Sequence, residues 1–565
     1  MARDTASRAV AADDPDAAGG LRQRMVPPIP GSAWLGWAGP VLITVFGAFL
    51  RFYRLGVPHS IVFDETYYVG DAYGILRHGV EINHVKNADA LLAHGGTSIL
   101  GTGGELVVHP PLGKIFIAVG EWLFGLTPFG WRFAAAVIGS VSILMVARIA
   151  RRMTRSTLLG CVAGLLMALD GLQLVMSRTA LLDIFLEFWV LAAFGLLVLD
   201  RDRSRAALAD AATALAADGQ LPVGRQAGDA SQVAESRRYG DSGHDGGESE
   251  PGGSEQGSRA AAEGPRLGIR WLRVAAGACL GAACATKWNG IYFLVAFAGL
   301  AIAWDLGARR AAGFARRLPG VLRSDAAWLP VSFGLVPLAV YLTSWSGWFA
   351  SSQGYDRHWA AQHGNHVPIW SALDSLYQYN RYMLQFGLGL TTKQTYASQP
   401  WTWLVMSKPV AFFYQTPHTC GSSSCSQEVL AIGTPVLWWA SIPALLFCVY
   451  WWLSRRDWRA GAVLLAVAAG WLPWFWFGLH DHRTMFFFYA VAFEPYLVIA
   501  VTLCLGLIIG PARAAPGRRA LGAVLAGVFL IAVLTDFAYL YPVLAAKSIP
   551  YAAWRSRMWF FSWIR

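Results

Sequence analysis

Acidic, basic and aromatic residues cluster early in the chain, in Arg51-Phe-Tyr-Arg54 and in Val62-Phe-Asp64-Glu65. Two adjacent carboxylates followed by aromatics can supply a general base and a partner that orients a hydroxyl nucleophile. Arg51 and Arg54, with Arg132 farther along, could hold a phosphate beside them, because a guanidinium binds phosphate in a bidentate fork. The simpler alternative is that Asp64 and Glu65 are solvated loop or helix-cap residues. His109 and Lys114 of the following His-Pro-Pro-Leu-Gly-Lys motif are predicted to support this region.

Further ionisable residues lie inside or beside apolar segments. Asp183 and Glu187 are one helical turn apart, with Arg178 near the end of the same segment. Ionisable groups within a membrane span are functional candidates by default, although an Arg178 to Asp183 pair that only ties helices together is an equal alternative. Lys287, in the turn Lys287-Trp-Asn289-Gly, places an ammonium at the level of a lipid head group, unless it merely snorkels to the interface.

Metal and cofactor motifs are scarce in the sequence. The run His480-Asp481-His482-Arg483 has histidines two residues apart, without an acidic or cysteine cluster beside them, so we expect no metal there and interpret Arg483 as another phosphate contact. No cofactor is expected to be required, and dependence on a divalent cation stays open. There is no glycine-rich phosphate loop, CxxC pair or GxSxG. Of the seven cysteines, only Cys420 and Cys425 lie together in a polar loop where a disulfide could form.

The elements that carry these residues must lie in a membrane. The 565 residues are 55% hydrophobic and only 14% charged, which excludes an ordinary soluble enzyme and predicts an all-α polytopic membrane protein in contact with a lipid bilayer. The net charge of +11 comes from arginines in short runs between apolar segments, so it indicates membrane topology and no nucleic-acid partner.

About twenty apolar residues cross a bilayer as a helix, and we interpret eleven apolar stretches as spans on that basis. They are residues 34–50, 131–150, 158–174, 180–199, 271–285, 291–304, 327–345, 434–453, 460–478, 485–507 and 521–540. Arginine clusters fall in every second connection, so the positive-inside rule places the N-terminus in the cytoplasm and the C-terminus outside. Residues 112–126 are predicted to form a juxtamembrane helix, since a span there would move every later arginine cluster to the outside.

These segments predict the domain organisation. A disordered cytoplasmic tail (1–32) precedes an N-terminal transmembrane module (33–201), whose first external loop (52–130) carries most of the candidate chemistry. A disordered cytoplasmic insertion (202–264), rich in Gly, Ser, Ala, Asp and Glu, separates it from the central helices (265–345). A second large external loop (346–433), C-terminal helices (434–540) and an external aromatic-rich segment (541–565) follow.

As a set, these motifs resemble the protein O-mannosyltransferases. The resemblance rests on Arg51-Phe-Tyr, Val62-Phe-Asp64-Glu65, the 109–114 motif, Trp131-Arg132-Phe133, Leu181-Leu-Asp183-Ile-Phe-Leu-Glu187, Lys287-Trp-Asn289-Gly and Arg483-Thr-Met-Phe. It implies the fold of lipid-linked glycosyltransferases (GT-C type), a plasma-membrane location and an external active site. The short second external loop resembles the bacterial, actinobacterial type.

The resemblance also implies residue roles and partners. Asp64 would take the proton of an acceptor hydroxyl, and Glu65 would place the acceptor or brace the first loop. Arg51, Arg132, Lys287 and Arg483 would hold the phosphate of a polyprenyl-phosphate-mannose donor. The acceptors would be Ser or Thr residues of exported proteins, which raises the prospect of contact with the protein export channel.

Two alternatives remain open on the sequence alone. The same fold could transfer a lipid-linked sugar of the arabinose or aminoarabinose type to a lipid or cell-wall glycan. A transporter or flippase would place ionisable residues along a substrate path, but it would favour inverted repeats, which the sequence does not display.

Overall fold

The structure is a computed structural model that describes residues 15–218, 259, 261–325, 328–481 and 483–564. The described residues form two compact units. The first takes its described residues from the ranges 1–28, 196–274 and 298–331, and the second from the ranges 29–195, 275–297 and 332–565.

The first unit has a small apolar core that corrects two expectations of disorder. The predicted disordered tail contains the helix Pro15–Met25, and the helix Asp183–Ala217 continues through the first sixteen residues of the predicted insertion. Met25 is buried in one apolar cluster with Leu208, Ala212 and Phe314. Residues 1–14, 219–258 and 260 of these two predicted segments lie outside the described residues.

The second unit is mainly helical and carries every candidate site residue. Its complete helices before residue 332 are Leu35–Phe52, Glu65–His78, Ala88–Ala93, Leu112–Phe124, Pro128–Thr154, Thr157–Ala168 and Gly171–Met176. Three further helices belong to it in part: the first residues of Asp183–Ala217 and of Gly290–Ala311, and the last residues of Trp271–Thr286. Its later helices are Val336–Ser344, Ser346–Ala350, Trp359–Gln362, Pro368–Gly389, Pro435–Arg455, Trp458–Trp471, Pro473–Trp476, Glu494–Ile509, Pro516–Leu544 and Tyr551–Arg557.

The predicted number of eleven spans is not reproduced. By length and composition, six helices in the described part of the chain can cross a membrane, and the bent pair ending at Ser344 would make a seventh. The six are Leu35–Phe52, Pro128–Thr154, Gly290–Ala311, Pro435–Arg455, Trp458–Asp481 and Pro516–Leu544. Thr157–Ala168, Trp271–Thr286 and Glu494–Ile509 are apolar but shorter.

Local breaks explain part of the difference. The predicted span 158–174 is interrupted at Asp170, whose carboxylate accepts hydrogen bonds from the backbone N–H groups of Leu172 and Gln173 and so starts a new helix. The predicted span 485–507 begins as a 3₁₀ turn, Phe487–Ala492, before the α-helix starts at Glu494. Leu112–Phe124 is helical as predicted, and its thirteen residues rise only about 20 Å, short of a bilayer core.

The external loops predicted from sequence contain short strands as well as helices. In the first loop, β1 (Ile82–His84) pairs antiparallel with β2 (Leu100–Gly104). In the second, β3 (Val410–Gln415) pairs with β4 (Cys425–Ala431), which also pairs with β5 (Ile549–Pro550). A disulfide joins Cys420 and Cys425, whose Cα atoms are 5.9 Å apart.

Candidate active site

Asp64 is held at the start of the helix Glu65–His78 by the residue before it. Phe63 has a backbone φ of 47°, a left-handed conformation that is costly for a bulky side chain. Its ring stacks on Phe412 with centroids 4.7 Å apart and meets the edges of Phe486 and Phe488 at 5.7 and 5.5 Å. These three contacts fix the Phe63 backbone and therefore the direction of the neighbouring Asp64 carboxylate.

A buried ion pair lies beside Asp64. The Nζ of Lys287 contacts both carboxylate oxygens of Asp183, at 2.9 and 2.8 Å, and lies 4.7 Å from the ring centroid of Tyr489. Burial raises the pKa of Asp64 to about 6, with the Lys287 charge opposing the shift and the Asp183 charge adding to it. At neutral pH Asp64 is therefore mostly a carboxylate, yet basic enough to accept a proton.

Glu65 has a different role from its neighbour. It is fully buried and accepts hydrogen bonds from Nε and Nη2 of Arg132, both at 2.8 Å, and from the backbone N–H groups of Val62 and Ala180, both at 3.0 Å. Of the two roles expected for Glu65, this geometry fits the bracing of the first loop.

Arg132 does not fit the expected phosphate contact. Besides Glu65, its guanidinium donates to the carbonyls of Leu55, Pro58 and Ser60, so every N–H is used, and the side chain is 1% exposed. It is a structural residue that holds the segment leading to Asp64.

Arg51 also differs from the prediction. Its side chain is fully buried among Gln173, the Gly47 carbonyl and the Met167 carbonyl. The Arg178 guanidinium donates hydrogen bonds to the backbone carbonyls of residues 50, 51, 53 and 54, so it caps the C-terminal end of the helix Leu35–Phe52. It does not form the ion pair with Asp183 that the sequence left open. The Arg54 side chain is exposed, and that residue contributes its carbonyl to Arg178.

Arg483 has a side chain without an ion pair among the described residues. Its guanidinium lies 5.5 Å from the Trp474 ring centroid and 5.7 Å from that of Phe477. Its buried Nε has no hydrogen-bond partner, and the described residues give the side chain no ion pair. An unpaired guanidinium resting on aromatic faces is suited to an anionic ligand.

His109 lies within the electrostatic reach of the same groups. Burial, followed by the charges of Lys287, Lys114 and Arg483, holds its pKa well below its usual range. The imidazole is therefore neutral, and its ring centroid lies 6.2 Å from that of Tyr68. Asn289, in the turn after Lys287, has a buried Oδ1 without a hydrogen-bond partner.

Lys114 is not open to a ligand. It is fully buried, with Nζ 2.6 Å from Glu81 and 3.6 Å from Asp71, so its supporting role is to neutralise carboxylates under the first loop. The structure thus groups Asp64, Asp183, Lys287, His109 and Arg483, and assigns Arg51, Arg132, Arg178 and Lys114 to internal contacts.

Sequence reasoning missed the aromatic residues that line this site. Phe63, Phe412, Phe488, Trp474 and Tyr489 look like ordinary membrane-interface aromatics in the sequence. The only local signal was the position of Phe63 next to Asp64.

An open cleft lies beside Asp64. Its volume is about 440 Å³, within the range of small-molecule sites. It is lined by Ser60, Ile61, Phe63, Thr66, Asp89, Ala90 and Ala93.

Comparison with known proteins gives consistent findings. Residues 41–215 match the family model described as dolichyl-phosphate-mannose-protein mannosyltransferase, and residues 372–563 match that of the C-terminal four TMM region of protein-O-mannosyltransferase. The chain is 38% identical over 541 residues to the polyprenol-phosphate-mannose--protein mannosyltransferase of Mycobacterium tuberculosis, covering 94% of this chain and 92% of that one. The Corynebacterium glutamicum protein of the same name is 32% identical, with 93% of each chain covered.

Among solved structures, the Saccharomyces cerevisiae protein O-mannosyltransferase Pmt1-Pmt2 complex bound to the sugar donor is similar in fold. Its TM-score is 0.63 at 13% identity, covering 98% of this chain and 95% of that one.

Proposed function

The chain belongs to the protein O-mannosyltransferase family, and from that membership we propose that it transfers mannose from polyprenyl-phosphate-mannose to Ser or Thr hydroxyls of exported proteins. The relatives that support this proposal are named polyprenol-phosphate-mannose--protein mannosyltransferases, and the matches span nearly the whole chain. The observation that carries it is the position of a basic carboxylate, Asp64, near the cation of Lys287, with Arg483 acting electrostatically on Tyr489, as Lys287 and Asp64 also do.

The reaction then proceeds by direct displacement. Asp64 takes the proton of the acceptor hydroxyl as its oxygen attacks the anomeric carbon of mannose. The bond from that carbon to the phosphate oxygen breaks, its electrons stay on the phosphate, and the configuration inverts. Arg483 and Lys287 stabilise the negative charge that accumulates on the departing phosphate.

The acceptor is proposed to enter through the cleft lined by Phe63 and Thr66. Phe63 directly precedes Asp64 and Thr66 follows it by two residues, which supports an approach of the acceptor from this side. Glu65 and Arg132 keep the segment rigid, which preserves alignment between base and hydroxyl.

The proposed topology has eleven spans, with the N-terminus in the cytoplasm and the site and C-terminus at the extracytoplasmic face. The arginine clusters at residues 151–155 and 513–519 support this orientation through the positive-inside rule. A membrane-impermeant maleimide should label Tyr67→Cys in intact cells and spare Arg513→Cys. The reverse pattern would refute the orientation. Contact with the export channel stays a prediction.

The test of the activity uses membranes that contain the protein, radiolabelled polyprenyl-phosphate-mannose and a Ser/Thr/Pro-rich peptide. We expect label in the peptide with the native protein and with the control Asp210→Asn, and none with Asp64→Asn. Asp210 is an exposed carboxylate of the first unit, so it controls for loss of a negative charge. No label despite intact donor would instead favour a lipid or glycan acceptor.

A further inference from the structure

A second group of ionisable residues lies under the first external loop, apart from the residues of the proposed transfer. Asp71 comes from the helix Glu65–His78, His84 from β1, and Glu105 directly follows β2. One donor atom from each side chain lies within 4.8 Å of the other two. Three separate elements therefore converge on one point.

The spacing of these atoms does not fit hydrogen bonds. His84 Nε2 is 3.7 Å from Asp71 Oδ1 and 3.7 Å from Glu105 Oε2, beyond hydrogen-bond length. His84 Nε2 and Glu105 Oε2 are both buried and have no hydrogen-bond partner. Two ligands each bound 2.0–2.1 Å from one tetrahedral ion are about 3.4 Å apart, close to the observed spacing.

Asp71 provides an independent observation. It is 3% exposed, and its ion-pair contacts in the described part of the chain are long: Oδ1 lies 3.7 Å from His84 Nε2, and Oδ2 lies 3.6 Å from Lys114 Nζ. A cation bound at Oδ1 would give this buried carboxylate a closer partner.

The charges around the group are unbalanced. The one cation of Lys114 lies 2.6 Å from Glu81 and 3.6 Å from Asp71, so it faces two carboxylates at once, and Glu105 adds a third carboxylate beside His84. A divalent cation bound to a neutral imidazole would supply the positive charge that this group lacks.

The backbone leaves room for the imidazole in this position. A Cβ atom at Gly70 would lie 2.2 Å from His84 Nε2, so only glycine allows the ring to approach the helix here. The site is therefore shaped before any ion arrives.

We propose that Asp71, His84 and Glu105 bind a first-row divalent cation, for which zinc is the appropriate probe. One imidazole and two carboxylates are a ligand set that zinc accepts, and a fourth position would hold water. The ion would tie the β1–β2 hairpin to the helix whose first residue follows Asp64. This proposal departs from the expectation of no metal, which rested on His480 and His482, and it does not depend on the proposed transfer activity.

The test measures metal content and not activity. The full-length protein, purified in detergent, is equilibrated with a small excess of zinc, desalted and analysed by inductively coupled plasma mass spectrometry. We expect about one zinc per chain in the native protein, at least a fivefold loss in His84→Ala and in Glu105→Gln, and no loss in His94→Ala, an exposed histidine of the same loop. Zinc should also raise the unfolding temperature of the chelator-treated native protein and leave that of Glu105→Gln unchanged.

Two results would overturn the proposal. Native protein that retains no more zinc than His84→Ala would show that the cluster is only a network of ion pairs. Equal loss in His94→Ala would show that zinc binds nonspecifically to the loop. If His84→Ala fails to fold, Glu105→Gln, which preserves side-chain size, and the titration of native protein give the answer.

Discussion

Asp64 and Glu65 are adjacent carboxylates, and the structure predicts that the same chemical change at each has opposite consequences. Asp64→Asn removes a partly exposed base that forms no ion pair with an arginine in the described part of the chain. Glu65→Gln removes the charge that four donors share: two N–H groups of Arg132 and the backbone N–H groups of Val62 and Ala180. The first substitution should abolish chemistry, and the second should weaken the fold.

The magnitudes follow from these contacts. Loss of a general base lowers kcat by about 10²- to 10⁴-fold, and the isosteric amide leaves packing and stability unchanged. A glutamine at position 65 has one acceptor oxygen where glutamate has two. Its amide NH2 group would face N–H groups of Arg132, Val62 or Ala180, which are themselves donors. Breaking a buried ion pair from one side costs about 3–5 kcal/mol, because Arg132 keeps an uncompensated charge.

The assay combines initial rates of mannose transfer with thermal unfolding of the purified protein. Asp64→Asn should unfold at the native temperature while transferring at least about 100-fold more slowly. Glu65→Gln should unfold several degrees lower, and its folded fraction should retain transfer when assayed at low temperature. The reasoning is refuted if Glu65→Gln unfolds like the native protein but is as inactive as Asp64→Asn, because Glu65 would then act in the reaction itself.

Three further predictions concern the same site. The rate of transfer should fall about tenfold between pH 7 and pH 5. Because burial raises the pKa of Asp64 to about 6, its ionised fraction drops from about nine tenths to one tenth over this range. A flat kcat/KM profile between these pH values would contradict the assigned base. Arg483→Ala should raise the KM for the donor lipid about 10- to 100-fold with little change for the peptide, and Arg483→Lys should lose less. An equal effect on both substrates would exclude a phosphate role. Phe63→Ala should lower kcat about tenfold or more without changing the KM for the donor, because it loses the three ring contacts that position Asp64. Phe63→Leu should recover part of the rate. An unchanged kcat in Phe63→Ala would show that the rings do not position the base.

Much of the membrane architecture follows from local sequence. The helix Leu35–Phe52 and the helix Leu112–Phe124 lie close to their predicted ranges, because apolar composition over one segment is enough to define each. The helix Pro15–Met25 escaped prediction because its own composition is polar and its stability comes from packing against Leu208 and Phe314. Asp170 interrupts a continuous apolar stretch because one side chain satisfies two backbone N–H groups, a local event that average hydropathy does not detect.

The sequence by itself determined the class of protein and the family, and it predicted Asp64 as the base, because these depend on composition and on motifs that are contiguous along the chain. Only the tertiary structure decided which cations remain free. Three arginines with the same charge illustrate this. Arg132 is bound to a glutamate 67 positions away, and Arg51 is bound to a glutamine 122 positions away. Arg483 forms no such contact with a side chain of the described residues. Ion pairing depends on distances of a few ångströms between atoms, and sequence separation says nothing about them. The same holds for Asp71, His84 and Glu105, which come together only when the hairpin folds onto the helix.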